Sequence, residues 1–485
     1  MTAYNKLNLQ YISGEWREGN SVTTYDNKNP FNDEIVAQIK LASKEDIHEA
    51  YISAEKAQLS WEKVSAFEKA DIMENAVSIM KARREEICEI IIKETGSTYA
   101  KANVELDFCI AITREAASFP MRMGAEMVPS LVPGKENRVY RRPVGVVGVI
   151  SPFNFPMYLS IRSVAPALAT GNGVVLKPDE QTAISGGLMV AKIFEEAGLP
   201  KDLLNVVVAS ISEIGDSLTE NPIPRVISFT GSTPAGLHIA QICSRTMKKA
   251  ALELGGNNPM LVLEDADVDR AVKSAVYGKF FHSGQICMAI NRIIVHESIY
   301  ETFLDKFVEA AKKLKVGDPS DHENVIGPVI NRRAVERITA TIEEAKKEGA
   351  TVVLEGKVEG NTISPYILTS VTNDVATARS EMFGPVATVI PFKTEQEGID
   401  IANDTPYGLS AAVYAGSIEK GVEVAKQIVS GMVHVNDQSV HDEPLIAFGG
   451  EKMSGLGRFG GKWSLEEFTT MQWISTQNTT REYPF

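Results

Sequence analysis

Ser43 stands three residues before Asp46, and Ser65 three before Glu68, each opening a stretch in which apolar residues recur every three or four positions. A hydroxyl followed three residues later by a carboxylate is a capping box, so both stretches are expected to be helices. Ile72, Ala76, Ile79 and Met80 then fall on one face, and helical signals dominate the first third of the chain. From Arg142 the texture changes. Short β-branched runs at 144–150, 174–177, 206–208, 226–229 and 250–254 alternate with helical stretches, which predicts a parallel sheet with helical crossovers. A second α/β section follows, with helices near 301–314 and 331–347 and strands near 291–295, 386–392, 409–414 and 432–436. The tail at 468–475 alternates like a strand again. It suits an edge strand lent to a neighbouring subunit and a strand of its own domain equally well.

A chain of 485 residues with this pattern holds two or three domains. Its 44% hydrophobic and 23% charged content fits a globular protein with a large core. Forty-nine Lys and Arg against 63 Asp and Glu leave a net charge of −14, a field that repels nucleic acid and anionic lipid and favours small-molecule chemistry. The first twenty residues lack the apolar stretch of a secretory signal, and the run at 144–150 is too short to span a bilayer. A cytoplasmic protein without membrane or nucleic-acid partners is expected. Cys88, Cys109, Cys243 and Cys287 show no CxxC pairing, so reduced thiols are expected, any of which could be a nucleophile.

Some motifs point nowhere. Gly455, Gly457 and Gly460 spell G-x-G-x-x-G, but no strand is expected before them and a Gly-Lys-Trp stretch follows, so they read as a turn rather than a dinucleotide loop. Asp265, Asp267 and Asp269 imitate a calcium loop, yet Arg270 occupies the required glycine position and Val276 that of the bidentate glutamate. A helix N-terminus explains them better. No H-E-x-x-H occurs and the cysteines are scattered, so no metal site is expected. The absence of G-x-S-x-G removes the nucleophile elbow of serine esterases.

What remains is a series: Ser151-Pro-Phe-Asn-Phe-Pro156, Lys177-Pro-Asp-Glu180, Phe229-Thr-Gly-Ser-Thr233, Leu252-Glu-Leu-Gly-Gly256, Gly284-Gln-Ile-Cys287, Glu381-Met-Phe-Gly-Pro385 and Phe448-Gly-Gly-Glu-Lys-Met-Ser-Gly455. A lone Cys287 would most often be a small buried hydrophobe, but the Gly284 turn can bring its thiol to the mouth of a pocket. In types, order and spacing the series resembles the aldehyde dehydrogenase superfamily over essentially the whole chain. The stretches 161–166, 440–444, 448–450 and 454–463 are similar to its benzaldehyde and vanillin dehydrogenase branch.

The resemblance implies an α/β fold of three parts: a Rossmann-type NAD-binding domain at 1–120 and 144–253, a catalytic α/β domain at 254–462, and a small β oligomerisation arm at 121–143 and 463–485. It implies that Cys287 attacks the aldehyde, that Asn154 and the Cys287 N–H hold the oxyanion, and that Glu253 is the general base for thioester hydrolysis. Glu253 precedes Cys287 by 34 positions, as in the family. Lys177 and Glu180 correspond to the adenosine-ribose clamp, Gly231 and Ser232 to the pyrophosphate-binding helix start, Glu381 to the holder of the nicotinamide ribose and Phe383 to the aromatic beside it. A carboxylate at Glu180 accepts from ribose hydroxyls and repels a 2′-phosphate, which favours NAD and leaves NADP as the weaker cofactor, with Lys177 in partial compensation. Asn257 departs from the lysine many relatives carry, as the aromatic-aldehyde branch often does. Phe155, Tyr158, Arg162, Phe281, Ile286, Met288 and Phe448 suggest an apolar, aromatic funnel, hence an aromatic aldehyde oxidised to its acid. An aliphatic aldehyde or semialdehyde remains open, as does the choice between homodimer and homotetramer. A silent structural relative would have lost the thiol, the amide or the carboxylate, and all three are present.

Overall fold

The computed structural model describes residues 4, 7–370 and 372–485. Five parallel strands form the centre of an eight-stranded sheet: β1 Val146–Ile150, β2 Gly173–Lys177, β3 Leu204–Val206, β4 Val226–Thr230 and β5 Lys249–Glu253. They lie in the order β3-β2-β1-β4-β5. The chain therefore winds outward one way from β1 to β3 and then crosses back to β4, which makes the carboxyl ends of β1 and β4 a topological switch point.

A seven-stranded sheet follows, built on β6 Asn258–Val262, β7 Ile290–His296, β8 Val386–Phe392, β9 Ser410–Tyr414 and β10 Met432–Val435, all parallel. Both sheets are covered by helices, which is why their β-branched strands are buried on both faces. Among the helices, α1 Lys44–Trp61 starts at a complete capping box between Ser43 and Asp46. At α2 Ala66–Ala82 the Ser65 side chain accepts from the Glu68 N–H. α3 Tyr99–Ala117 packs on α4 Pro156–Ala169, the helix that follows β1.

Several expectations need correcting. The run at 206–208 pairs as Leu204–Val206; Val207 and Val208 are buried beyond the ladder, so the apolar run marks burial rather than strand length. The helical first third also contains strands at Gln10–Ile12 and Glu15–Arg17, which edge the first sheet, and a hairpin of Thr24–Lys28 with Ile35–Lys40. The glycines at 455–460 are more than a turn: Gly455–Leu456 pairs antiparallel with β5, closing the first sheet beside Glu253, and a helix at Gly461–Glu467 begins on the Gly-Lys-Trp stretch. The tail strand, Thr469–Gln477, pairs with Lys135–Pro143 of its own chain, and Ala125–Val128 completes a three-stranded sheet. Asp267 caps the helix Val268–Phe280 by accepting from the Arg270 N–H. Among the described residues no helix is long and apolar enough to cross a membrane.

Candidate active site

The switch point gathers the first set of motifs. β1 ends in the loop that carries Asn154, β2 ends at Lys177, β4 leads into Gly231 and Ser232, and Glu253 is the last residue of β5. From the second sheet come segments that precede strands: Cys287 stands just ahead of β7, and Glu381 and Phe383 just ahead of β8. Carboxyl ends of one sheet and amino ends of the other thus meet across a cleft of about 800 Å³, whose walls include Asn154, Gly231, Ser232, Glu253, Cys287, Glu381 and Phe383.

A second, narrow cavity of about 40 Å³ opens from the same place, walled by the residues the sequence grouped as an aromatic funnel: Phe155, Tyr158, Arg162, Phe281, Ile286, Met288 and Phe448. Asn154 and Cys287 line both spaces. The thiol therefore sits at their junction. Its loop is strained into place: His282, Ser283 and Gly284 have successive φ of 50°, 54° and 70°. A Cβ on Gly284 would lie 2.2 Å from the Gly384 carbonyl oxygen, so only glycine fits.

Burial pushes the Cys287 thiol up to about 12, with Arg162 pulling the other way, so the resting sulfur carries its proton. Burial likewise raises Glu253 to about 8, again against the pull of Arg162. Both Glu253 oxygens are buried without a hydrogen-bond partner, which makes this an unengaged proton acceptor. Asn154 donates one amide N–H to the Gln285 carbonyl at 3.1 Å; its amide has a second for a ligand.

On the far wall of the cleft, Glu381 accepts from the Gly256 N–H at 3.1 Å. A Cβ on Gly255 would come within 2.2 Å of its Oε2, which explains the paired glycines. Phe383 meets Phe153 edge-on at 5.8 Å. Asn257 is committed to structure, donating to the Ala378 carbonyl at 2.7 Å and accepting from Asn291. At the start of the helix Thr233–Arg245 the Ser232 side chain makes no capping bond, and a Cβ on Gly231 would strike the Phe229 ring at 2.4 Å. A bare helix N-terminus over a glycine fits a pyrophosphate. Lys177 and Glu180 lie one strand away from the cleft lining, joined as an ion pair at 3.2 Å.

The sequence missed part of the second cavity. Val104 and Phe108 reach it from α3, Tyr277 from the helix before the cysteine loop, and Asp442 from the loop after β10. Asp442 accepts from the Tyr158 hydroxyl at 2.5 Å. Spacing along α3 marks Val104 and Phe108 as neighbours on one face, but nothing local tells which face meets the site. Among the described residues no cluster could hold a metal ion.

A half-buried thiol between a crevice at a topological switch point and an apolar cavity, with an unpartnered carboxylate on the crevice wall, fits the site of an oxidoreductase. The chain belongs to the aldehyde dehydrogenase family, whose model matches residues 16–474. It is 51% identical to a benzaldehyde dehydrogenase of Bacillus subtilis (strain 168), covering 100% of both chains. It is 49% identical to a vanillin dehydrogenase of Corynebacterium glutamicum, over 96% of this chain and 97% of that protein. The crystal structure of an NAD-dependent benzaldehyde dehydrogenase from Corynebacterium glutamicum superposes with a TM-score of 0.90 at 47% identity, covering 97% of this chain and 98% of that one.

Proposed function

We propose that this protein oxidises aromatic aldehydes to carboxylic acids with NAD as hydride acceptor. The observation that carries the reading is the position of Cys287, at the junction of the wide cleft and the aromatic-lined cavity. The naming of similar proteins as benzaldehyde and vanillin dehydrogenases supports the substrate class.

In this reading the aldehyde ring lies among Phe108, Phe155, Tyr277, Phe281 and Phe448, with its carbonyl toward Cys287. Sulfur bonds to the carbonyl carbon as the thiol proton leaves to solvent through the cleft, so that the unpaired Glu253 carboxylate stays free for the later step. The oxygen, now an anion, takes the second Asn154 N–H and the Cys287 backbone N–H. Gly231 and Ser232 at the helix start, with Glu381 and Phe383, would hold NAD, which would supply the acceptor for the hydride that leaves this carbon. A thioester then remains on Cys287. Glu253 takes a proton from water as the water oxygen attacks the acyl carbon; the carbon–sulfur bond breaks, the acid departs and the thiol is restored.

Lys177 and Glu180 at the end of β2 would receive the adenosine ribose, and Glu180 would favour NAD over NADP. The first sheet would serve as the NAD-binding unit, the second as the catalytic unit, and the three-stranded sheet as an arm joining copies into a cytoplasmic homodimer or homotetramer.

The test is NADH absorbance with benzaldehyde, vanillin, an aliphatic aldehyde and succinic semialdehyde, each with NAD and NADP. Aromatic substrates with NAD should give the highest kcat/KM, and Cys287→Ala should abolish the signal with all of them. A preference for either non-aromatic substrate would overturn the aromatic reading.

A further inference from the structure

The step from thioester to acid needs Glu253 ionised in a place that disfavours its charge. Around this carboxylate stand Arg162 and Arg458, which attract it, and Asp442 and Glu467, which repel it, with the Cys287 thiol sharing the cleft. Arg458 is already engaged by Glu451 and by the carbonyls of Gly450 and Gly457. Glu467 is paired with Lys249 at 2.8 Å. Arg162 is different. It lies fully buried on α4, its guanidinium 4.6 Å from the Phe448 ring and 4.9 Å from the Phe459 ring.

Aromatic faces hold a cation without consuming its N–H donors. Asp442 approaches no nearer than 4.0 Å, since its carboxylate is held by the Tyr158 hydroxyl. The Arg162 Nε has no partner. Among the described residues its one hydrogen bond runs from Nη2 to the Thr230 hydroxyl at 3.4 Å, and Thr230 is the register partner of Glu253 across β4 and β5. A buried cation with an unfilled donor is thus tied to the strand pair that carries a buried carboxylate with two unfilled acceptors.

We propose that Arg162 is a positioning residue for the general base: clamped between Phe448 and Phe459, it stabilises the ionised Glu253 carboxylate and sets the pH at which thioester hydrolysis turns on. Asp442 opposes it by drawing off part of the same positive charge. The proposal rests on the reading of Glu253 as the base for hydrolysis.

The experiment follows NADH absorbance with benzaldehyde and NAD, as first-turnover burst and steady-state rate, from about pH 6 to about pH 10. The proposal concerns the alkaline rise in steady-state rate. In Arg162→Met that rise should move up by about one pH unit, with about a tenfold loss of steady-state rate near neutral pH. Arg162→Lys, which keeps the cation, should move it back. Asp442→Asn should move it the other way, to lower pH, because it removes a charge that both repels Glu253 and draws on Arg162. An Arg162→Met enzyme that melts like the parent and keeps the parent's profile overturns the proposal. If that variant does not fold, a profile unmoved or raised in Asp442→Asn overturns it instead. Glu253→Gln separates the two readings: should it retain the parent's alkaline rise, the assignment of Glu253 fails, whatever Arg162 does.

Discussion

At the scale of single residues the chemistry depends on groups kept from the partners they would find in water. Burial moves Glu253 from 4.5 to about 8, so most of it is protonated at neutral pH and the hydrolytic rate should climb as pH rises through about 8. Glu253→Gln should keep the burst of NADH while steady turnover falls by roughly 10²- to 10⁴-fold, with the pH dependence gone; stopped-flow absorbance separates the two phases. The same displacement carries a sign for stability. A carboxyl whose value is raised in the folded state contributes stability that is complete below its unfolded value and is lost as pH rises through about 8. Glu253→Gln should therefore melt higher than the parent near pH 9, by an amount on the order of a few kcal/mol, and the difference should close below about pH 5. Glu180 offers a separate test. Removing its charge in Glu180→Gln should raise kcat/KM for NADP relative to NAD, and an unchanged ratio would assign cofactor selectivity elsewhere.

At the scale of elements, what the sequence made legible follows burial. The central strands β1, β2 and β4 are rich in β-branched residues and almost wholly buried, so each reads as a short, largely apolar run. The strands at 10–12 and 15–17 have three residues each, and Ala125–Val128 is exposed throughout; neither length nor alternation distinguishes them from loop. The site divides similarly. Asn154, Glu253 and Cys287 stand in compact local motifs that carry the family resemblance. Val104 and Phe108 enter the cavity through packing between elements distant in sequence, which no local pattern records, and the 440–444 stretch that resembles the branch does not by itself say that Asp442 faces the cavity. The cysteine loop shows how sharply an element can constrain chemistry. With φ at +70° and the Gly384 carbonyl in the way, Gly284→Ala should displace Cys287 from Asn154 and lower kcat at least tenfold, more than it changes the melting temperature. Activity equal to the parent's would mean that the thiol does not depend on this turn.

At the scale of the whole molecule, the two large sheets and their helices enclose the cleft and the cavity within one chain, while the three-stranded sheet stands apart from that core. Thr469–Gln477 pairs with Lys135–Pro143 along nine positions, yet after Thr469 every residue of the tail strand is exposed. Met127, Val128, Leu131, Met471, Trp473 and Ile474 are all exposed on this small sheet and its connecting loop. Apolar side chains gathered on one thin element are the mark of a surface that another protein covers, and a second copy of the chain supplies a complementary patch by symmetry. The protein should therefore sediment as a dimer or larger. Replacing Met471 and Ile474 together with Asp should shift it toward monomer in light scattering, because two buried charges without partners would oppose association. The charges fall outside the cleft and cavity linings, so the dissociated chain should still give the first-turnover burst with an aromatic aldehyde. A mass unchanged by the double substitution would place the contact between copies elsewhere; a burst lost along with the mass would mean that the arm also supports the cleft.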